Sequence, residues 1–558
     1  MIEISQIRLS LNACRTEKSC LAALKGQVLR ILGCKPEDVV GIELHRRSVD
    51  ARKRSDVHFI ASTRVELADE DRVLAGLSPA AAKRVRRVAE SGVSFPERLH
   101  KREEWRPVVV GAGCAGLFCA LALAEAGLEP VLIERGDASR ERTERIGVFE
   151  RTGELDPESN IQFGLGGAGT FSDGKLTTGT KNPAHRLILE TFVKAGAPRE
   201  ILWEAKPHIG SDILPHVVEH IVRRIGELGG EVRFRARLTR IERGPSGGVS
   251  GVRFVQEGRE RRMLCSRLVL ATGHSARDVF EMLERDGFAL ARKTFAMGVR
   301  IEHLQRDIDR ALFDRAAGHP ALGAASYKLV AHLEGGRSLF SFCMCPGGQV
   351  VAAASEQGGV VTNGASLFAR DGRNANAALL VNVTPEDLPG ASPLAGIELQ
   401  RACERAAFQA GGGGYRAPAQ LVGDFLACRP SDGACRVEPT YPLGVAWTEL
   451  DGLLPDHVVA TLRAGIPALD RKLHGFANPE AVLTGVETRS SSPVTVVRDG
   501  GCRGVGVPGF YPCGEGAGYA GGIMSAATDG LRCANAVIED VASAARTYPV
   551  ADKPHARR

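Results

Sequence analysis

Apolar and polar positions alternate along residues 2–11, recur at helical spacing over 17–32, and alternate again over 39–47 and 56–66. This pattern predicts a small β-α-β-β unit. The stretch from Asp69 to Trp105 is rich in charge, with a helical piece around Pro79–Ala89, and reads as a connecting arm. At Pro107 the texture changes to an apolar strand, a glycine turn and an Ala/Leu-rich helix, and a second strand follows at Glu129–Glu134. From Thr294 to Leu483 strands, glycine loops and helices mix, and a glycine-rich segment at 509–530 opens a last helix. The predicted division is 1–68, a charged linker 69–105, the first part of a βαβ-type domain over 106–291, an inserted mixed α+β domain over 292–483, and the rest of the first domain over 484–558.

At 558 residues the chain exceeds what one core fills. Hydrophobic residues at 44% and charged residues at 25% fit a globular protein and exclude a membrane-embedded or disordered one. A formal net charge of +6, with Lys and Arg scattered, gives no dedicated nucleic-acid surface. The start MIEISQIRLS has no secretory pattern, so a cytoplasmic address is expected. The fourteen cysteines include no CxxC pair, and no metal site is expected. The apolar run Pro107–Ala124 carries three glycines within its first ten residues and is closed by Glu125, which argues for a turn and helix over a membrane span.

Strand Val108–Val110 runs into Gly111-Ala112-Gly113-Cys114-Ala115-Gly116 and then a helix, the dinucleotide fingerprint in its strand-turn-helix setting. Gly111 permits the tight turn, Gly113 the approach of a pyrophosphate, and Gly116 close packing of helix on strand. Glu134, 23 residues after Gly111, ends the next strand where a carboxylate accepts hydrogen bonds from a ribose, and Arg135 follows it. A second match, Gly164–Gly169, has no apolar strand before it and is rejected as a second nucleotide site. Its Gly167, Ala168, Gly169 and Thr170, with Ser172, are expected against the cofactor.

Leu268–Leu270 with Ala271-Thr272-Gly273 resembles the strand and turn that pack against the adenosine half of FAD in glutathione-reductase-like flavoproteins. Phe510–Gly518 resembles their last flavin motif, with Gly514 in the turn and Glu515 where an acidic residue binds a ribityl hydroxyl. Gly521-Gly522-Ile523 then opens a helix whose amides face negative charge on a reduced flavin. Together with Asn160–Phe163, Gly166–Leu176, Phe342–Gly348 and Glu487–Pro493, these segments make nearly the whole chain resemble the uncharacterised bacterial FAD-dependent, or NAD(FAD)-utilising, dehydrogenases. Leu165 stands where that family's pattern has an acidic residue. The resemblance implies an α/β fold: a Rossmann-like FAD-binding domain of glutathione-reductase type, an inserted substrate domain and a small N-terminal β-α-β-β domain. FAD is the implied cofactor.

Four residues stand out for catalysis. Lys175 follows the glycine segment. Cys343 and Cys345, one residue apart, share a face on a regular strand, and Cys345 is the candidate thiol. His303, after the strand-like Ala296–Ile301, offers proton transfer. Arg489 offers a bidentate clamp for an anionic substrate. His208, His274, Tyr327, Lys328 and Glu356 are lesser candidates.

The expected function is hydride transfer between flavin N5 and a small organic substrate. One fingerprint leaves no separate NAD(P)H domain, so NAD(P)H is a transient visitor to the flavin pocket or is replaced by oxygen, a quinone or a small electron carrier. Arg46, Arg47, Arg52, Lys53 and Lys83–Arg87 leave open an RNA-modifying flavoenzyme, and the N-terminal unit a flavin-holding sensor or assembly factor without catalysis.

Overall fold

The computed structural model describes residues 1–88, 92–99, 105–433 and 435–547, with backbone alone over 544–547. Five short parallel strands form the sheet that positions the site, in the order Phe510–Pro512, Leu268–Leu270, Val108–Val110, Val131–Ile133 and Glu231–Arg233. The first four are buried, as continuous apolar strands in a parallel sheet covered on both faces must be. Helices Cys114–Glu125, Leu214–Glu227 and Ile523–Thr547 pack on one face. The other face carries a three-stranded antiparallel sheet, Ala236–Arg243, Val249–Gln256 and Arg259–Leu264.

A seven-stranded sheet uses only residues between Phe295 and Glu487, in the order Val330–His332, Ser338–Cys345, Asn374–Val383, Phe295–Leu304, Val482–Glu487, Ala417–Leu421 and Val445–Trp447. Its pairings are antiparallel apart from the last, and helix Asp456–Asp470 packs on its core face. A two-stranded ribbon, Leu290–Arg292 against Val494–Val496, joins the outgoing and returning chain beside the parallel sheet.

The N-terminal unit is a sheet in the order Val39–Asp50, His58–Leu67, Ile2–Leu9 and Val85–Arg87, backed by helix Glu17–Leu32. That helix begins at a Thr16–Ser19 capping box and ends on Gly33. The fourth strand corrects the expected arm: Val85–Arg87 pairs antiparallel with Ile2–Ile4, and helices Glu70–Ala75 and Pro79–Ala82 precede it. Three residues are too few to show an alternation. Residues 89–91 and 100–104 of that arm lie outside the described residues. Among the described residues no helix is long and apolar enough to cross a membrane.

Candidate flavin site

The carboxyl ends of strands Val108–Val110 and Leu268–Leu270 open onto a cavity of about 630 Å³, within the range of cofactor sites. Its first wall is the fingerprint turn. A Cβ on Gly116 would overlap Gly111 O, so this glycine serves the helix–strand packing and not the cavity wall. A Cβ on Gly113 would meet only Gly167 Cα at 3.8 Å and would project into the cavity. The second glycine segment docks directly on the first: Gly166 N donates to Ala112 O at 2.8 Å, and Gly167, Ala168 and Gly169 line the cavity. Buried Arg142 fastens this segment by donating to the carbonyls of Asn160, Ile161, Leu165 and Gly167 at 2.5–3.0 Å. Sequence reading missed that role, because a single arginine in a charged helix carries no pattern. Leu165 is buried, 1% exposed, in the apolar core.

Glu134 lines the cavity and already accepts three backbone N–H bonds, from Ala112 at 2.7 Å and from Gly136 and Gly164 at 2.9 Å. A carboxylate offers about four lone-pair positions, so one remains for a ribose hydroxyl. Arg135 lies over the Phe163 ring at 4.2 Å, held by both oxygens of Asp278. Ala271, Thr272 and Gly273 form the adjoining wall, and Glu515, Gly521, Gly522 and Ile523 close the far side at the start of the last helix. Among the described residues nothing lies within 4 Å of a Cβ built on Gly273, Gly521 or Gly522. Burial pushes the Glu515 carboxyl up to about 7 and, with Arg489 and Arg277, the neighbouring His274 down to about 3.

Two expected cofactor contacts are corrected. The Thr170 hydroxyl is buried and turns inward to Leu165 O, and Gly514 sits behind the wall, its N–H donating to Asp529. Ser172 lines the cavity, but its hydroxyl donates to Gly169 O at 2.7 Å and ties down the loop. Asp529, Cys513 and Cys533 cluster within 4.8 Å, a grouping that sequence spacing hides; Arg498 occupies both Asp529 oxygens at 2.5 and 3.0 Å.

The other end of the cavity is polar. Lys175 Nζ lies 2.8 Å from Asp173, which also receives a two-point bond from Arg370. These two cations hold the buried Asp173 below the usual carboxylate range although burial opposes them. Glu487 sits 2.8 Å from Arg300 Nε, both side chains almost unexposed; burial nevertheless pushes Glu487 up to about 7. Tyr327 lines this end, and its hydroxyl is buried without a hydrogen-bond partner among the described residues. Sequence reading gives Glu487 only as part of a motif, since an acid after an apolar strand is ordinary until its surroundings are known.

Three catalytic candidates move. Strand Ser338–Cys345 shifts register against Asn374–Val383 between Phe342 and Cys345. Such an irregularity breaks the same-face rule. Cys343, at φ +39°, therefore faces the cavity, while Cys345 is fully buried with its thiol donating to Cys343 O at 3.2 Å. His303 is 2% exposed, away from the cavity, its Nε2 on Phe476 O at 2.8 Å, and burial pulls its pKa down. Arg489 borders the cavity, but Glu404 and Ser355 take its guanidinium at 2.5–3.0 Å, leaving no bidentate clamp for a substrate. Only Lys175 keeps its expected place.

Of the lesser candidates, Lys328 lines the cavity, His208 is spent on Phe368 O, and Glu356 pairs with Arg277 and Arg401. Four of the eight N-terminal basic residues are answered by acids: Arg47 by Glu204, Arg52 by Asp50, Arg86 by Glu3, and Arg87 by Asp71 and Glu70.

Residues 294–490 match the family described as FAD-dependent protein, C-terminal domain-like, residues 106–144 an FAD binding domain, and residues 1–66 a domain of unknown function. An uncharacterized protein of Clostridium beijerinckii is 45% identical over 548 residues, covering 96% of this chain and 98% of that one. The chain belongs to the same family, one of FAD-dependent proteins. Similar solved structures include a flavin-dependent brominase triple mutant (14% identity, 79% of this chain and 81% of that one, TM-score 0.38) and a 3-ketosteroid-delta4-(5alpha)-dehydrogenase from Rhodococcus jostii RHA1 (13%, 79% and 98%, TM-score 0.34). Neither bears on the reaction. The open glycine walls fit FAD, which is the cofactor of this FAD-dependent protein.

Proposed function

We propose that this FAD-dependent protein is an oxidoreductase that exchanges hydride between flavin N5 and a small organic substrate seated at the polar end of the cavity. The observation that carries this reading is continuity: one cavity joins the glycine cradle to a cluster of Lys175, Tyr327, Cys343 and Glu487. The flavin, when bound, supplies the two-electron chemistry. The protein supplies orientation and protons. Tyr327 offers an unused hydroxyl to a substrate oxygen, Lys175 a cation near it, and Glu487 a carboxyl able to hold or release a proton near neutrality. The parallel sheet with an antiparallel sheet on one face, and a second sheet entered and left through the ribbon at 290–292 and 494–496, supports a glutathione-reductase-type arrangement.

The test is an anaerobic titration of the yellow protein with NADH and then NADPH, followed by a panel of reduced and oxidised organic substrates. Bleaching by a nicotinamide, or by a substrate that fails to bleach Tyr327→Phe at the same concentration, supports the reading. If the flavin takes up no electrons from any hydride donor and, once reduced chemically, returns none to any organic acceptor, the reading fails.

A further inference from the structure

Two cysteines line the cavity, and their surroundings are opposite. Cys114 opens the fingerprint helix, where burial pushes its thiol up to about 12. Cys343 sits at the polar end, partly exposed, in the left-handed region at φ +39°. Such a backbone is costly for a residue with a side chain and persists where the surroundings hold it. Here they do: Arg300 donates to Cys343 O at 3.0 and 3.2 Å, and the Cys345 thiol donates to the same carbonyl. The register shift and these bonds turn the Cys343 side chain out of the sheet and into the cavity.

The charges facing it come from several elements. Lys175 and Arg300 are within electrostatic reach, as are Asp173, Glu487 and Glu515. Asp173 is already engaged by Lys175 and Arg370, and Glu487 by Arg300. Hydrogen bonding from Cys345, then Lys175 and Arg300, holds the Cys343 thiol well below the ordinary cysteine range. A thiolate is the nucleophilic form of cysteine, and an accessible thiolate beside cations is the setting in which cysteine reacts.

We propose that Cys343 is a catalytic thiolate of this site, a nucleophile for soft electrophiles entering the polar end of the cavity, with Lys175 and Arg300 as counter-cations and Cys345 as a positioning residue. The word catalytic rests on reading this cavity as the flavin and substrate site; the reactivity of the thiolate does not. In the attack, the Cys343 sulfur donates an electron pair to the electrophilic atom and a leaving group departs with the bonding pair. With iodoacetamide an S–C bond forms, the C–I bond breaks and iodide leaves, so no oxidant or reductant enters the balance.

The experiment alkylates the flavin-loaded and the flavin-stripped full-length protein with iodoacetamide at about pH 5 to 9 and reads each cysteine by peptide mass, with exposed Cys428 as internal reference. In the stripped protein at about pH 6 Cys343 is expected to react at least about tenfold faster than Cys428. Lys175→Met and Cys345→Ala are expected to shrink that ratio and shift the Cys343 profile to higher pH. In the loaded protein flavin is expected to shield Cys343 and to show a long-wavelength charge-transfer band that Cys343→Ser removes at unchanged flavin content. A Cys343 rate no greater than that of Cys428 in the stripped wild-type protein overturns the proposal without any variant. A fast Cys343 in a protein that holds no FAD overturns the flavin reading and leaves the thiolate standing.

Discussion

Glu404 lies between two arginines, its Oε1 2.7 Å from Arg277 Nη2 and its Oε2 2.7 Å from Arg489 Nη2, with all three side chains at most 2% exposed. Arg277 belongs to the first part of the parallel-sheet region, Glu404 to helix Ala395–Ala410, and Arg489 to the returning chain, so one carboxylate ties three distant segments together. Removing it leaves two buried guanidinium groups with Glu356 alone to balance them, 2.5 Å from Arg277 and 3.6 Å from Arg489. Glu404→Ala is expected to cost about 3–5 kcal/mol in denaturant unfolding. A loss below about 1 kcal/mol would show that Glu356 replaces it. The arginines hold Glu404 far below its usual range, so the stability it contributes is full above about pH 4.5 and declines as pH falls toward its folded value.

Gly113→Val should fold and fail to hold flavin. A side chain there meets only Gly167 Cα and enters the cavity. The expected outcome is a melting temperature of the stripped protein close to wild type, with FAD affinity weakened by about 100-fold or more, measured by flavin fluorescence. Wild-type affinity would mean that the pyrophosphate does not pass this wall.

The Tyr327 hydroxyl is buried and unpaired, so deleting it costs the fold no hydrogen bond. Tyr327→Phe is expected to be as stable as wild type, or more stable by up to about 1 kcal/mol, and to bind substrate several-fold more weakly. A clear fall in melting temperature would place the hydroxyl in the fold and not in the site.

Glu487 and Glu515 are both raised by burial to about 7. Between the ordinary carboxyl value and 7 the folded protein holds more protons than the unfolded chain, so these two groups make stability fall as pH rises through that window. The double variant Glu487→Gln/Glu515→Gln is expected to flatten this slope in urea midpoints of stripped protein between about pH 5 and pH 7.5. An unchanged slope would mean that neither carboxyl is protonated in the fold.

The cofactor end of the site was legible because its constraints are local. Val108–Gly116, Glu134 and the turns at 271–273 and 521–523 combine apolar runs with glycines at fixed offsets; Val110, Gly111, Gly113, Glu134 and both turns line the cavity, while Gly116 packs behind the wall as its spacing implies. The substrate end was only half legible. On a regular strand Cys343 and Cys345 would share one face, and the register shift between Phe342 and Cys345 leaves Cys343, not Cys345, on the cavity wall. Arg489 and His303 looked available because their partners, Glu404 and Phe476 O, are far away in sequence or belong to the backbone. The strand Val85–Arg87 was hidden by its brevity, since its pairing with Ile2–Ile4 is a tertiary fact.

Strand Phe510–Pro512 lies at the edge of the parallel sheet and pairs only with Leu268–Leu270. The turn and helix that follow it make the far wall of the cradle, although the fingerprint turn is made some four hundred residues earlier. During synthesis, then, the phosphate end of the pocket emerges long before its far wall exists. Flavin capture has to wait until residues 510–526 have left the ribosome, and the large apolar faces around 108–133 must meanwhile be kept from aggregating.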